Sequence, residues 1–196
     1  MDVDSSSMGD DEIVRRVVNG DVDSFEILLN RYQTHVFRIA NRHVPVSETD
    51  DVSQEAFIRA YRSLPSFKGT GGFKQWLSAI AVRTCYDFWR KHYRNRERPV
   101  SALSENQRDW LEKITMDKAG EAFNAQSVQK EAREILDWAL DRVSAEDRMI
   151  IELVYLEGLT VKEASERLGW SVAKVKVRSF RSRKRLQKLM DSSMTE

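Results

Sequence analysis

The fold is decided by the stretch Ser144–Met190, SAEDRMIIELVYLEGLTVKEASERLGWSVAKVKVRSFRSRKRLQKLM. Ser144 is a residue type that caps helices, and the apolar spacing after it predicts a helix over Ala145–Glu157. Gly158 supplies the left-handed backbone that ends such a helix. The stretch therefore begins with one complete helix and the residues that bound it.

Two further helices follow at close spacing. Thr160 and Glu163 form a capping box for a short helix over Val161–Leu168, which stops at Gly169. A basic helix over Val172–Met190 comes next. Helix, tight turn and basic helix is the helix-turn-helix arrangement, whose last helix enters the major groove of DNA.

The basic helix has two different faces when it is drawn at about 100° per residue. The face predicted to be buried carries Val175, Ser179, Ser182, Leu186 and Leu189. The opposite face carries Ala173, Lys176, Val177, Phe180, Arg181 and Lys184. Two apolar residues thus face outward among cations, as on a recognition helix that reads a thymine methyl while its cations reach bases and phosphates. The alternative is a charged surface helix with a stray phenylalanine.

The helix predicted over Phe73–Tyr93 has three faces. Its buried face is formed by Leu77, Ile80, Ala81, Thr84 and Phe88. A charged face carries Arg83, Asp87, Arg90 and Arg94, and an aromatic face carries Val82, Tyr86, Trp89 and Tyr93. Aromatic rings beside arginines are suited to unpaired nucleic acid, because the rings stack on bases while the guanidinium groups hold the backbone. The alternative is that the aromatic face packs against a neighbouring helix.

The rest of the chain predicts an all-α protein, because no stretch alternates apolar and polar residues over strand length. The remaining predicted helices are Asp11–Asn19, Val22–His43, Glu48–Ser63 and Ser127–Val143. The segment Pro99–Gln126 has the composition of a flexible acidic linker, with five acids against three bases. We therefore expect a disordered tail over residues 1–10 and two small helical domains, residues 11–98 and 127–196, joined by that linker.

The net charge of +1 conceals two basic segments. Residues 83–98 hold six bases against two acids, and residues 174–188 hold eight bases and no acid. Two separate basic segments suggest two contacts with a polyanion. No apolar run approaches the roughly 18 residues of a membrane span, and the acidic N-terminus lacks signal-peptide order, so we expect a cytoplasmic protein without membrane insertion. One cysteine, Cys85, and three histidines give no metal spacing, and we expect no cofactor.

Four motifs resemble the extracytoplasmic-function (ECF) sigma factors, the promoter-specificity subunits of bacterial RNA polymerase. DVSQEAFIRAYRSLPSFKG and WLSAIAVRTCYDFWRK are similar to region 2 of that family. EDRMIIELVYLEGLTVKEASERLGWS and VKVRSFRSRKRL are similar to its region 4. The resemblance extends from Asp11 to Met190 and implies a sigma factor without catalytic residues, which directs transcription initiation from minus-35 and minus-10 elements and assists DNA melting.

The resemblance also implies roles for particular residues. Asp51, Gln54 and Glu55 match positions that dock on the clamp helices of the polymerase's largest subunit. Without the resemblance, this acidic cluster is typical of a solvated face, and a docking surface for a basic partner is the alternative. Residues matching the minus-10 contacts are Arg83, Tyr86, Arg90 and Arg94. Residues matching the minus-35 contacts are Ser171, Lys174, Lys176, Val177, Arg178, Phe180, Arg181 and Lys184. Further implied partners are the flap of the second-largest subunit and an anti-sigma factor.

The glycine-rich stretch SFKGTGGFKQW, Ser66–Trp76, has neither the P-loop nor the dinucleotide-binding spacing. The stretch therefore gives no support to a further hypothesis, that the protein is an enzyme that uses a nucleotide. In the resembled family this loop forms the pocket for an extruded minus-10 base, which we expect to be lined by Phe67, Lys68, Gly69 and Thr70. A plain flexible connection is the alternative for the loop. For the whole chain, the alternative is a helix-turn-helix regulator with an N-terminal sensing domain.

Overall fold

The structure is a computed structural model that describes residues 8–69, 72–95 and 134–193. Within these residues every regular element is helical, which confirms the all-α prediction. The N-terminal helices are α1 (Asp10–Val18), α2 (Phe25–His43), α3 (Thr49–Ser63) and α4 (Phe73–Asn95), with short 3₁₀ helices over Val22–Ser24, Val46–Glu48 and Leu64–Ser66. No helix in the described ranges is both long and apolar enough to cross a membrane.

The C-terminal elements follow the predicted order. They are α5 (residues 134–140), α6 (Ala145–Ile150), a π-helix (Ile151–Leu156), α7 (Val161–Leu168) and α8 (Val172–Ser193). The predicted linker, Pro99–Gln126, lies outside the described residues, as does the tail over residues 1–7. The domain limits at residues 98 and 127 therefore stay a prediction.

Three of the predicted boundary residues of the C-terminal helices are confirmed, Ser144, Gly158 and Gly169, whereas the Thr160–Glu163 capping box stays a prediction. The Ser144 hydroxyl accepts a hydrogen bond from the Asp147 backbone N–H at 3.2 Å and so caps α6. Gly158 has φ +71° and Gly169 has φ +69°, the left-handed backbone that ends the elements before them. The serine cap and the glycines thus set these limits. They allow backbone N–H and C=O groups at the helix ends, which have no partner within the helix, to form hydrogen bonds.

Two predicted helices differ in their internal geometry. The helix predicted over Ala145–Glu157 is present through Leu156, but it changes from α to π geometry after Ile150. The Glu157 N–H donates to the Glu152 carbonyl at 2.8 Å, a bond of five residues rather than four. The helix predicted from Val22 begins as a 3₁₀ turn, because the Asp21 carboxylate accepts from both the N–H and the hydroxyl of Ser24.

The described chain divides into two compact units. The first contains the described residues up to Lys91 together with Lys162–Ser171, and the second contains those of His92–Val161 and those from Val172 onward. In the first unit α1, α2 and α3 pack together, and the α4 side chains of Phe73 and Leu77 are fully buried in its core. That core fixes the outer faces of α2, α3 and α4, which carry the candidate site residues.

The second unit contains an apolar cluster and a buried ion-pair network. Leu140, Val143 and Ile151 form the cluster, and Leu186 and Leu189 of α8 pack against it. These two leucines belong to the face of α8 that was predicted to be buried. Aliphatic packing of this kind holds a helix against its neighbours without directional contacts.

The ion-pair network of the second unit is centred on Arg148, which is 8% exposed. Its guanidinium lies 2.8 Å from Glu152 and 3.0 Å from Asp141, and it donates to the Tyr93 hydroxyl at 3.3 Å. Burial raises the pKa of Tyr93, although the Arg148 charge opposes the shift. The network satisfies a charge that would be costly if it were left unpaired in this interior.

Candidate functional site

The two faces of α8 are as predicted. Val175 and Ser182 are fully buried and Ser179 is 7% exposed, whereas Phe180 is 71% and Val177 50% exposed. Lys176, Arg181 and Lys184 are also exposed beside them. An aromatic ring and three cations therefore project together from one rigid helix, an arrangement that can meet base edges and phosphates at once.

A shallow groove of about 490 Å³ borders this outward face. Val154, Tyr155 and Val161 form one wall, and the α8 side chains of Phe180 and Lys184 belong to the other. The Tyr155 hydroxyl donates to the backbone carbonyl of Ser179 at 3.1 Å. This bond fixes the end of the π-helix against α8 and leaves the Phe180 ring exposed.

Two of the predicted minus-35 residues contact acids of α6 instead of projecting away. Lys174 Nζ lies 3.5 Å from Glu146, and Arg178 forms ion pairs of 2.8 Å with Glu146 and 2.7 Å with Asp147. Ser171, just before α8, is exposed. The eight predicted residues are thus not equivalent, since Lys174 and Arg178 are engaged within the protein.

The loop before α4 carries an aromatic cluster. The Phe67 ring lies 5.1 Å from Trp76 and 5.7 Å from Phe73, measured between ring centroids. Gly69 has φ +72°, and Lys68 beside it is exposed. Thr70 lies outside the described residues. The structure therefore brings Phe67 beside Trp76, an aromatic side chain that the sequence analysis did not include in this loop site.

Two predicted minus-10 residues make contacts to residues 162–171 of the same compact unit. Arg83 donates to the backbone carbonyls of Glu166 and Arg167 at 3.3 and 3.2 Å. The Tyr86 ring meets Trp170 edge to face, with centroids 5.6 Å apart. Both side chains lie on the part of α4 that the aromatic-and-arginine pattern singled out.

The other two predicted minus-10 arginines lie further along α4. Arg90 pairs with Asp87 at 3.3 Å, and its guanidinium carbon lies 6.0 Å from the Tyr86 ring centroid. Arg94 is exposed. Trp89 on the aromatic face is 3% exposed and donates to the His43 carbonyl at 2.6 Å. For that residue the packing alternative is correct, because its ring fills the core.

An apolar groove of about 870 Å³ runs between α2 and α3. Three of its lining side chains are large and exposed: Phe37 at 41%, Ile58 at 44% and Tyr61 at 38%. Gln54 lines the same groove. Exposed aromatic and aliphatic side chains gathered in one concave surface are typical of a site that another protein covers.

The acidic cluster is only partly in this groove. Gln54 lines it, whereas Glu55 pairs with Arg59 at 2.7 Å and Asp51 is exposed. Sequence reasoning missed the apolar residues of the groove. The signal was available in the helical spacing of Ile58 from Gln54, because residues four apart share a face.

Comparison with known proteins agrees with this arrangement. The Sigma-70 region 2 family matches residues 28–95, and the Sigma-70, region 4 family matches residues 133–186. The ECF RNA polymerase sigma-E factor of Escherichia coli strain K12 is 34% identical over 187 residues, which cover 91% of this chain and 93% of that protein. The chain belongs to the ECF RNA polymerase sigma factors. It directs promoter-specific transcription initiation and is not an enzyme.

Two further similarities extend over nearly the whole sigma factor. The sigma-E factor of Haemophilus influenzae strain Rd is 30% identical, covering 93% of this chain and 96% of the relative. A solved structure of CnrH in complex with the cytosolic domain of CnrY has a TM-score of 0.52 at 23% identity, covering 92% of this chain and 96% of that one. The second similarity concerns the fold alone.

Proposed function

We propose that α8 reads the minus-35 element of a promoter while α4 and the loop before it hold the minus-10 strand. The observation that carries the first part is the exposed Phe180 ring, which lies on a rigid helix beside Lys176, Arg181 and Lys184. In the described part of the chain no carboxylate lies within ion-pair distance of these three cations. They are therefore available to phosphates and base edges in the major groove.

The minus-10 part of the proposal rests on the loop over Phe67–Gly69. Its aromatic cluster with Trp76 offers ring faces for an unstacked base, and Lys68 offers a charge to the backbone. Extruding a base costs a few kcal/mol, and stacking on an aromatic side chain returns about 1–3 kcal/mol per base. A preformed ring cluster reduces the remaining cost because less side-chain freedom is lost on binding.

The groove between α2 and α3 is the proposed docking surface for core polymerase. Its partner is the pair of clamp helices on the largest subunit, with Gln54 and the exposed Phe37, Ile58 and Tyr61 as contacts. A helix laid into an apolar groove is a common recognition mode. Asp51 and Glu55 at the adjacent surface would add polar contacts to the rim.

We also propose regulation by an anti-sigma factor that covers these polymerase-binding surfaces. CnrH, whose fold this chain shares, has been solved in complex with the cytosolic domain of CnrY. The large exposed side chains of the groove are suited to being covered when polymerase is absent, because apolar side chains gain from removal from water. The proposal places the protein in the cytoplasm, where promoter DNA and core polymerase are found, and the flap of the second-largest subunit is a further proposed contact.

The test is transcription in vitro with purified protein, core polymerase from the cognate bacterium and genomic DNA. We expect discrete transcripts whose start sites share elements near minus-35 and minus-10 and which need the added protein. Core polymerase alone is the control. The absence of any specific transcript with active core and no inhibitor present would refute the proposal.

A further inference from the structure

The acid Asp147 on α6 is 1% exposed and faces one stripe of α8. The stripe consists of Arg178, Ser182 and Arg185, whose spacing of four and three residues places them on one face of a helix. The Ser182 hydroxyl donates to Asp147 Oδ1 at 2.6 Å. One carboxylate therefore contacts three residues of α8 that are each about one helical turn from the next.

The two arginines of the stripe are held on either side of Ser182. Arg178 Nε lies 2.7 Å from Asp147 Oδ1 but outside hydrogen-bond geometry, so this contact is an ion pair. Arg185 forms an ion pair with Asp147 Oδ2. The Arg178 guanidinium also pairs with Glu146 at 2.8 Å and donates to the Ser144 hydroxyl at 3.0 Å. Both cations of this stripe are thus paired with acids of α6, although the Arg178 side chain is 28% and the Arg185 side chain 57% exposed.

The environment keeps Asp147 ionised. Burial by itself would raise the pKa of its carboxyl, but the hydrogen bond from Ser182 and the charges of Arg178 and Arg185 outweigh burial, and the pKa lies below its usual value. Removing one partner from such a buried charge is costly, whereas the complete set is stable. The contact is therefore persistent at neutral pH.

The apolar face of α8 does not fix the helix so strictly. Val175, Leu186 and Leu189 contact their neighbours through aliphatic groups, and such packing tolerates small rotations. A buried hydrogen-bonded carboxylate is directional, because its bonds lengthen when the helix turns about its axis. The outward Phe180 can meet a given base only if that rotation is fixed.

We infer that Asp147 is a positioning residue, which sets the rotation of α8 about its axis and withholds Arg178 and Arg185 from DNA. Arg178, which the family resemblance placed among the minus-35 contacts, then acts through Asp147 rather than on a base. Base discrimination falls to the outward residues Val177 and Phe180 with their neighbouring cations. The inference rests on the proposed reading of the minus-35 element by α8.

The test compares variants of the full chain bound to core polymerase. The DNA is a promoter found by start-site mapping, a set of single-base changes in its minus-35 element, and an unrelated duplex of equal length. Asp147→Asn keeps the shape and the oxygen that faces Ser182 but removes the charge. We expect a steeper salt dependence of binding, because each arginine that gains a phosphate adds about 0.9 to the slope. We also expect about tenfold less discrimination between matched and changed elements.

Two further variants separate charge from orientation. Ser182→Ala removes the hydrogen bond without altering any charge, and we expect weaker discrimination at an unchanged salt slope. Glu134→Gln on α5 is the control for net charge, since Glu134 is exposed and outside the stripe; it should change neither quantity. A folded Asp147→Asn protein with both the slope and the discrimination of wild type would overturn the inference.

The thermal unfolding midpoint reports whether Asp147→Asn folds. If it does not fold, Arg178→Gln tests the positioning role of Asp147 instead. A positioning role predicts that preference weakens over the whole minus-35 element at an unchanged salt slope. Loss confined to one base pair, or a slope lower by about 0.9, would instead make Arg178 a direct DNA contact and overturn the inference. If wild type itself showed no dependence on the minus-35 element, the proposed function would fail rather than this inference.

Discussion

Replacing Phe37 and Ile58 by alanine should weaken the binding of core polymerase without unfolding the protein. These side chains are 41% and 44% exposed in the groove between α2 and α3. Full burial of a large apolar side chain is worth about 1.5–3 kcal/mol, so covering the exposed fractions is worth roughly 0.6–1.3 kcal/mol each. The double variant should therefore lose about 2 kcal/mol, or about thirtyfold in Kd.

Binding is best followed by the fluorescence anisotropy of labelled protein titrated with core polymerase. The matched control replaces Val22 and Val46 by alanine, since these are 54% and 79% exposed in the same unit but do not line the groove. The control should bind like wild type, because it removes exposed apolar surface of a similar kind elsewhere. Equal unfolding midpoints of both variants would show that the fold is intact.

The reasoning is refuted by one particular pattern of affinities. If the groove variant bound core polymerase within about threefold of the control, the exposed side chains would not be buried in the complex, since about 2 kcal/mol is expected. Gln54→Ala combined with Glu55→Ala tests the polar part of the same surface. If only that variant lost affinity for core polymerase, the contact would be made by these polar residues and not by the exposed apolar side chains of the groove.

Three further results are expected. Phe180→Ala should lose discrimination between bases within the minus-35 element. Lys184→Ala should instead weaken binding to all sequences alike and lower the salt dependence of binding by about 0.9 in slope. Binding curves on matched and changed promoters distinguish the two results. Arg148→Met should lower the free energy of unfolding in urea by about 3–5 kcal/mol because the buried Glu152 loses its ion pair with Arg148, and adding Glu152→Leu should recover most of it. Acidification should lower the thermal midpoint of wild type more than that of Asp147→Asn. The pKa of Asp147 is depressed in the fold, so its contribution is present above pH 3.8 and is lost as the pH falls through the folded value.

The sequence was sufficient for much of the fold because the decisive residues act locally. Ser144 caps its own helix and Gly158 ends the element that precedes it, so no distant contact is needed to place them. The faces of α8 were also predictable, since the 3.6-residue period alone separates Val175 from Phe180. Family resemblance then supplied the roles of these faces.

The features that escaped prediction depend on contacts between distant residues. The π-helix over Ile151–Leu156 contains no glycine or proline that would mark a change in helix geometry. It could not be predicted, because α- and π-turns accept the same residue types. Periodicity could not tell that Trp89 would reach the His43 carbonyl, 46 residues away, and so belong to the core. Periodicity also could not predict which cations of α8 would contact Asp147, because a helical wheel shows only the residues of one helix and Asp147 lies on another.

The pairing of cations with α6 bears on how the protein searches a genome. Of the eight bases between residues 174 and 188, Lys174, Arg178 and Arg185 contact acids within the protein. Sequence-independent affinity for DNA grows with every phosphate neutralised, and a chromosome offers on the order of 10⁶–10⁹ competing sites. Internal neutralisation therefore shortens each non-productive stay on DNA. A larger share of the free protein is then left in solution, where it can meet core polymerase before it meets a promoter.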